Sequence, residues 1–197
     1  MKKKILTIIA GVILILGATA CGNNKKEDDK YMSGKHNVEI NVKDLGTIKV
    51  ELDANTAPIT VTNFIELAKD GFYDGLTFHR IIEGFMIQGG DPEGNGTGGS
   101  DKTIKGEFES NGVKNNISHK RGVISMARSN DPDSASSQFF IVHKDSTFLD
   151  GQYAGFGHVT DGMDVVDEIA ENTEVEDNNG TTLKKNQPII ESIKVIE

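Results

Sequence analysis

Between Thr77 and Val159, β-forming apolar residues occur only in short runs, and glycine-dense loops separate one run from the next. The runs read TFHRII, FMIQ, GVISMA and QFFIV. Each has the length and the β-branched or aromatic content of a strand. Many short strands of this kind, joined by glycine-rich turns, predict a mainly β domain in which a sheet curls into a closed barrel.

A hairpin precedes these runs. Residues 38–52 alternate between apolar and polar side chains except at a turn around Asp44 and Gly46, and this alternation is typical of strands buried on one side. The apolar positions are Val38, Ile40, Val42, Ile48, Val50 and Leu52. A final apolar run, PIIESIKVI, predicts one more strand at the end of the chain.

Two segments have the helical spacing of apolar residues instead. The first segment starts near Pro58 and ends near Gly71, and the second follows residue 162. Their apolar positions are Val61, Phe64, Ile65 and Ala68, and Met163, Val166, Ile169 and Ala170. Two isolated helices among many strands predict that the helices cover the open ends of the barrel. The sequence contains no internal repeat and no second domain boundary after residue 36.

The N-terminus predicts an export signal. Three lysines precede an apolar run from Ile5 to Leu16, which is shorter than the ~20 residues that span a bilayer. Small residues follow the run and end at Cys21, the only cysteine, and this order resembles the lipobox of bacterial lipoproteins. The resemblance implies that residues 1–20 are a lipoprotein signal peptide, that Cys21 is lipidated, and that residues 21–35 are a polar, flexible tether. The alternative is an uncleaved anchor helix with an incidental cysteine, which leaves the domain on the same side of the membrane.

Composition excludes several function classes. The chain has 21 Lys and Arg against 30 Asp and Glu, a formal charge of −9, and a nucleic-acid binder needs the opposite balance. One cysteine excludes an intramolecular disulfide and a multi-cysteine metal site, and the five histidines have no ligand spacing, so no metal is expected. The loop from Gly94 to Gly99 matches G-x-G-x-x-G, but no helical pattern follows it, so no nucleotide is expected. The sequence therefore predicts a protein without cofactors.

The segment FHRIIEGFMIQGGD, residues 78–91, combines an arginine with large apolar side chains. A strand period of two predicts that Phe78, Arg80 and Ile82 share one face and that Met86 and Gln88 share a face after the turn at residues 83 and 84. An arginine flanked by apolar side chains keeps its hydrogen-bond donors while it loses competing water.

The segment QFFIV repeats this arrangement. Period two predicts that Gln138, Phe140 and Val142 lie on one face and that Phe139 and Ile141 lie on the other. One face then fills the barrel core, and the other lines a cleft at the surface.

From about Val38 to Glu197 the sequence resembles the cyclophilin-type peptidyl-prolyl cis-trans isomerases. The resemblance is carried by FHRIIEGFMIQGGD with GNGTGG behind it, by GVISMARSNDPDSASSQFFI from Gly122, and by FLDGQYAGFGHV from Phe148. It implies a closed eight-stranded antiparallel β-barrel capped by two α-helices over residues 36–197. It also implies an enzyme that turns the peptide bond before proline.

The resemblance assigns site residues as well. It implies a catalytic set of Arg80, Phe85, Gln88 and Phe140. It implies substrate-binding roles for Met86, Ala127, Arg128, Gln138, Phe148, Leu149 and Tyr153. Phe148 stands where many eukaryotic relatives have tryptophan, and Tyr153 replaces a histidine found in those relatives.

Together these features predict a monomeric isomerase, lipid-anchored at the outer face of the cytoplasmic membrane. Its expected partners are proline-containing peptides and unfolded exported proteins. A second hypothesis is a non-catalytic chaperone module that binds proline-containing segments in the same groove. A solute-capturing lipoprotein is a third class, but such receptors usually need two lobes and a longer chain.

Overall fold

Eight strands and two α-helices form the framework of the structure, a computed structural model that describes residues 30–196. The strands are β1 (Lys35–Val42), β2 (Gly46–Asp53), β3 (Phe78–Ile82), β4 (Met86–Gly89), β5 (Val123–Met126), β6 (Phe139–Val142), β7 (Gly155–Asp161) and β8 (Ile190–Ile196). The helices are α1 (Pro58–Lys69) and α2 (Met163–Asn172). Residues Tyr31–Glu197 belong to one compact unit. The predicted signal peptide, Cys21 and residues 22–29 of the predicted tether lie outside the described residues. The end of the predicted tether belongs to the folded domain instead, because β1 begins at Lys35 and the N–H of Met32 donates to Oγ1 of Thr62 at 2.8 Å.

The strands form one antiparallel sheet in the order β3-β4-β6-β5-β7-β2-β1-β8. The prediction of eight antiparallel strands with two helices is confirmed, and only its description of the barrel as closed is overstated. Among the described residues, the edge strands β3 and β8 share no ladder. They meet where they begin, at an isolated bridge between Thr77 and Ile189, and the N–H of Phe78 donates to the carbonyl of Pro188 at 3.0 Å. The free edge of β3 bonds instead to a loop, because Ile81 N–H donates to the carbonyl of Gly180. The sheet is therefore a curled half-barrel.

The N-terminal hairpin is confirmed. All six alternating apolar side chains of β1 and β2 are at most 3% exposed. The turn between the strands uses Asp44 at φ 62° and Gly46 at φ 128°, backbone conformations that glycine and, more rarely, aspartate adopt.

Both predicted helices are confirmed. Helix α1 begins at Pro58, where the missing N–H of proline costs no helical hydrogen bond. The carboxylate of Glu107 accepts the N–H groups of Ile59 and Thr60 at 3.0 and 2.8 Å, and so satisfies two of the unpaired donors of the first turn. Helix α1 packs against β8 and β2, and α2 packs against β2, β3 and β4.

Strand β7 was not among the apolar runs in the sequence. Its sequence, GFGHVTD, has two glycines, and Phe156 is its fully buried side chain. A Cβ atom at Gly157 would lie 2.5 Å from the carbonyl oxygen of Glu51, so the glycine allows β7 to approach β2.

The two faces of the sheet bury two separate apolar clusters. On β6, Phe139 and Ile141 belong to the main core, whereas Phe140 and Val142 belong to a smaller cluster under the surface cleft. The predicted division of this strand between core and cleft is confirmed. The smaller cluster consists of Met86, Val123, Phe140, Val142 and Leu149.

The predicted alternation of β3 is wrong at its first residue. Phe78 packs in the main core with Ile81, while Arg80 and Ile82 lie on the cleft side. The pairing with β4 skips one residue, since Phe78 pairs with Gly89 but Arg80 pairs with Gln88 next to it. This bulge at His79 inverts the alternation of the strand and turns Arg80 toward the cleft.

Candidate active site

A cavity of ≈ 230 Å³ opens over the smaller cluster and is called the proline pocket below. It is lined by Arg80, Phe85, Met86, Gln88, Ala127, Arg128, Phe140, Leu149 and Tyr153. Strands β3, β4 and β6 supply its floor, and the segments after β5 and before β7 supply its far wall. The structure thus brings together all four residues predicted to be catalytic and five of the seven predicted to bind substrate.

Arg80 presents the guanidinium group of this pocket, and its side chain is half-buried. Its Nη1 donates to Oε1 of Gln88 at 3.2 Å, and its Nε donates to the backbone carbonyl of Asn179 at 2.8 Å. Burial lowers the pKa of Arg80, although Asp177 and Tyr153 oppose this effect. A guanidinium stays protonated at neutral pH, so the pocket holds a partly desolvated positive charge in a defined orientation.

Gln88 connects Arg80 to a relay of amide groups. Its Nε2 donates to Oε1 of Gln138 at 2.8 Å, and Nε2 of Gln138 donates to the carbonyl of Gly98 at 2.7 Å. Gln138 does not line the proline pocket, and it instead holds the side chain of Gln88 in place through this hydrogen bond. Both amides face a second cavity of ≈ 340 Å³, called the polar pocket below. The polar pocket is lined by Gln88, Gly96, Thr97, Gly98, Gly99, Ser100, Ala127, Arg128, Ser129, Ser134, Ser136 and Gln138.

The loop that holds Nε of Arg80 is shaped by a carboxylate. Asp177 accepts the N–H groups of Asn179 and Thr181 and the hydroxyl of Thr181, and these hydrogen bonds lower its pKa. Gly180 sits at φ +80°, and a Cβ atom there would overlap the carbonyl of Ile81. Sequence reasoning did not assign this loop to the site, although the D-N-N-G run signals a tight aspartate-capped turn.

Phe148, also predicted to bind substrate, lies outside the lining of the proline pocket. Its side chain is prominent at the surface, 67% exposed, and its ring centroid lies 5.6 Å from that of Phe85. Phe148 therefore extends the apolar rim beside Phe85 rather than the pocket wall.

A buried histidine supports the pocket from below and was missed in the sequence. The ring of His119 stacks on Phe140, with centroids 6.1 Å apart. Its two ring nitrogens lie 2.9 Å from Oδ1 of Asp150 and 3.0 Å from Oγ of Ser125. Burial lowers the pKa of His119 despite the nearby carboxylate, so the neutral ring is favoured. No local pattern marked this residue, because its carboxylate partner Asp150 follows 31 positions later in the chain.

We expect the free energy of unfolding to fall as the pH drops below about 6.5. Burial lowers the pKa of His119 and also that of His79, so the unfolded chain binds protons that the folded protein resists. Stability present above the unfolded pKa of about 6.5 is then lost as pH falls, by up to about 1.4 kcal/mol per pH unit for each histidine. Urea unfolding between pH 5.5 and pH 7.5 measures this slope.

The variant His119→Asn should show a shallower pH slope than the wild type. The variant His158→Asn serves as the control, because His158 is exposed, and it should keep the wild-type slope. An identical slope in His119→Asn and wild type would contradict the claim that His119 contributes to the pH dependence of stability.

Among the described residues, His143, Asp167 and Glu171 form a group of three side chains with metal-ligating atoms close together. Arg121 already bonds both oxygens of Asp167 at 2.7 Å, and Nδ1 of His143 accepts the N–H of Gly84 at 2.9 Å. These contacts explain why the three side chains lie together without a metal ion. They form a polar network that connects the turn after β3 to α2.

The family model described as cyclophilin type peptidyl-prolyl cis-trans isomerase/CLD matches residues 37–195. Peptidyl-prolyl cis-trans isomerase B of Bacillus subtilis is 49% identical over 123 residues, which are 62% of this chain and 82% of that protein. A peptidyl-prolyl cis-trans isomerase of Acinetobacter baylyi is 40% identical over 175 residues, 86% of this chain and 83% of that protein.

A crystal structure of a cyclophilin type peptidyl-prolyl cis-trans isomerase from Cryptosporidium parvum has the same fold. It superposes with a TM-score of 0.72 and 31% sequence identity, and the match covers 82% of this chain and 99% of that one. That protein was crystallised in the presence of the dipeptide Ala-Pro.

Proposed function

The chain belongs to the cyclophilin-type peptidyl-prolyl cis-trans isomerases, and we propose that it isomerises X-Pro bonds of exported proteins at the outer face of the cytoplasmic membrane. The isomerase activity is shared with its relatives. The observation that carries the chemistry is one pocket in which the guanidinium of Arg80 faces the apolar side chains of Phe85, Met86, Phe140 and Leu149.

The reaction requires rotation of a peptide bond and no bond cleavage. Rotation costs ~18–20 kcal/mol because it breaks amide resonance, and an X-Pro bond takes tens to hundreds of seconds without a catalyst. In the twisted state the prolyl nitrogen regains a lone pair, which a planar amide does not offer. A donor aimed at that nitrogen, or at the rotating carbonyl, binds the twisted state better than either planar form.

Arg80 supplies this donor in a fixed orientation. Its bonds to Gln88 and to the carbonyl of Asn179 use two of the five guanidinium N–H groups and prevent the fork from turning away. The apolar walls hold the pyrrolidine ring while the preceding carbonyl rotates, and partial exclusion of water strengthens the contact with the guanidinium. Each ~1.4 kcal/mol of preference for the twisted state gives about tenfold in rate.

The proposed location at the outer face of the cytoplasmic membrane is inferred from the N-terminal sequence. A lipid on Cys21 would hold the domain at the membrane through the polar residues 22–30, which precede the compact unit, and the enzyme would act there as a monomer on unfolded exported chains. Within residues 30–196, no helix has the length and apolar character needed to cross a bilayer. Removal of residues 1–20, with their three lysines and no acidic residue, would change the formal charge from −9 to −12. That charge disfavours close contact with an anionic membrane surface, so the polar segment would act as a spacer.

Labelling cells with a palmitate analogue tests the anchor. We expect the full chain to carry the label, to sediment with membranes and to be digested by a protease added to cells without their wall. The variant Cys21→Ala should lose the label, while Lys26→Ala in the spacer should keep it. Label on Cys21→Ala, or a wild-type chain protected inside the cell, would contradict the proposed location.

A further inference from the structure

Arg128 occupies a junction in the structure, because it lines the proline pocket, the polar pocket and a third cavity beyond Arg80. We propose that Arg128 is a specificity-determining residue that selects X-Pro segments with a glutamate or aspartate at one of the two positions before the proline or at the position after it. This inference rests on the isomerase function and names the substrate class of the same site.

The guanidinium of Arg128 is held in place before any substrate binds. Its Nε and Nη2 donate to the carbonyl of Gln152 at 3.1 and 2.8 Å, and its Nη1 donates to the carbonyl of Ser129 at 2.8 Å. Its Cζ atom lies 4.6 Å from the ring centroid of Tyr153 and 5.0 Å from that of Phe108. A cation fixed by bonds and by two aromatic rings loses little conformational freedom when it binds an anion.

The charges around the two pockets favour an anion. Among the described residues that line the polar pocket, Arg128 is the single charged side chain. In the proline pocket the charged lining residues are Arg80 and Arg128, both positive. The remaining polar pocket is neutral and includes the hydroxyl-bearing side chains Ser129, Ser134 and Ser136. A strongly acidic protein thus presents a local positive site to its substrate.

The two pockets adjoin each other, so one peptide can occupy both. They share the lining residues Gln88, Ala127 and Arg128. When a proline ring fills the proline pocket, a side chain next to it in the peptide reaches the polar pocket. A carboxylate there accepts hydrogen bonds from the N–H groups of Arg128 not bonded to backbone carbonyls, whereas a lysine meets like charge.

The preference is moderate because Arg128 is only half-buried. We expect kcat/KM for a glutamate peptide to exceed that of its glutamine counterpart by about fivefold, equivalent to about 1 kcal/mol. A lysine peptide should fall below the glutamine peptide.

The test compares peptides that contain one proline and carry Glu, Gln or Lys at either of the two positions before it or at the position after it. The ratio of kcat/KM for Glu over Gln is measured within each protein, so a general loss of activity in a variant cancels. At one of these positions the ratio should be about five in the wild type, about one in Arg128→Gln and intermediate in Arg128→Lys. Because the contact is electrostatic, the wild-type ratio should also fall toward one as salt rises to 0.5 M.

Provided that the glutamine peptide is isomerised, two results overturn the inference: a wild-type Glu/Gln ratio of one at every position, or an unchanged ratio in Arg128→Gln. Absence of turnover with every peptide would instead overturn the isomerase function itself. If Arg128→Gln does not fold, the salt series and Arg128→Lys still decide, since a ratio unaffected by salt contradicts a charge-based preference.

Discussion

Replacing Arg80 with alanine lowers kcat/KM for a short Ala-Pro peptide by about 10²–10³-fold, the cost typical of removing one donor aimed at a transition state. The expected loss is large because Arg80 presents a guanidinium group, held by Gln88 and the carbonyl of Asn179, to the pocket whose apolar walls hold the proline ring. A protease-coupled or spectroscopic isomerisation assay measures it. The substitution should lower kcat more than it weakens binding of the peptide. The reason is that the planar substrate gains less from the guanidinium than the twisted state does.

Two further variants make the result specific. Arg80→Lys keeps the charge but loses the fork that bonds Gln88 and Asn179 together, so we expect it to recover only a small part of the activity. Arg121→Ala is the matched control, because Arg121 pairs with Asp167 away from the pocket, and it should retain wild-type activity. Equal rates for wild type and Arg80→Ala, with folding confirmed by circular dichroism, would remove the catalytic role and favour the non-catalytic chaperone hypothesis.

The second large effect concerns Phe139 and Phe140, neighbours on β6 that face opposite sides of the sheet. Phe139→Ala should lower the free energy of unfolding by about 3–5 kcal/mol, a substantial share of the stability of a small domain. Phe139 is fully buried, and its ring meets those of Phe64, Tyr73 and Phe78 edge to face. Urea unfolding measures the change.

Phe140→Ala should produce the complementary pattern. Its ring borders an open cavity, so truncation leaves less empty core volume, and we expect a smaller loss of stability. The proline pocket loses one wall, so kcat/KM should fall by at least tenfold. A larger stability loss in Phe140→Ala than in Phe139→Ala would contradict the assignment of the two faces.

Several parts of the fold could be read from periodicity alone. The alternation in residues 38–52 places six side chains in the core, and the same period divides β6 between core and cleft. The helical spacing that begins at Pro58 locates α1. These predictions succeed because burial of one face repeats at every second residue of a strand and at every third or fourth residue of a helix.

Periodicity failed where one residue or one backbone contact changed the pattern. The bulge at His79 turns Phe78 into the core and Arg80 toward the cleft, although an unbroken strand would keep them on one face. Strand β7 has too few apolar residues to be recognised, since two of its seven residues are glycines, of which Gly157 allows the close approach to β2. The two edge strands meet where they begin, but further along β3 the loop at Gly180, and not β8, bonds to its edge, so no ladder joins the edges.

The sequence by itself determined both helices and seven of the eight strands, and motif resemblance identified the residues that line the proline pocket. The tertiary structure alone decided how Arg80 is aimed, which residue stacks beneath Phe140, and which carboxylate caps α1. The carbonyl that holds Arg80 belongs to a residue 99 positions away in the chain. Glu107, which caps α1, lies 47 positions after Thr60, a helix residue to which it bonds. A backbone carbonyl is the same in every residue and a lone carboxylate has many possible partners, so only the folded chain selects which groups meet.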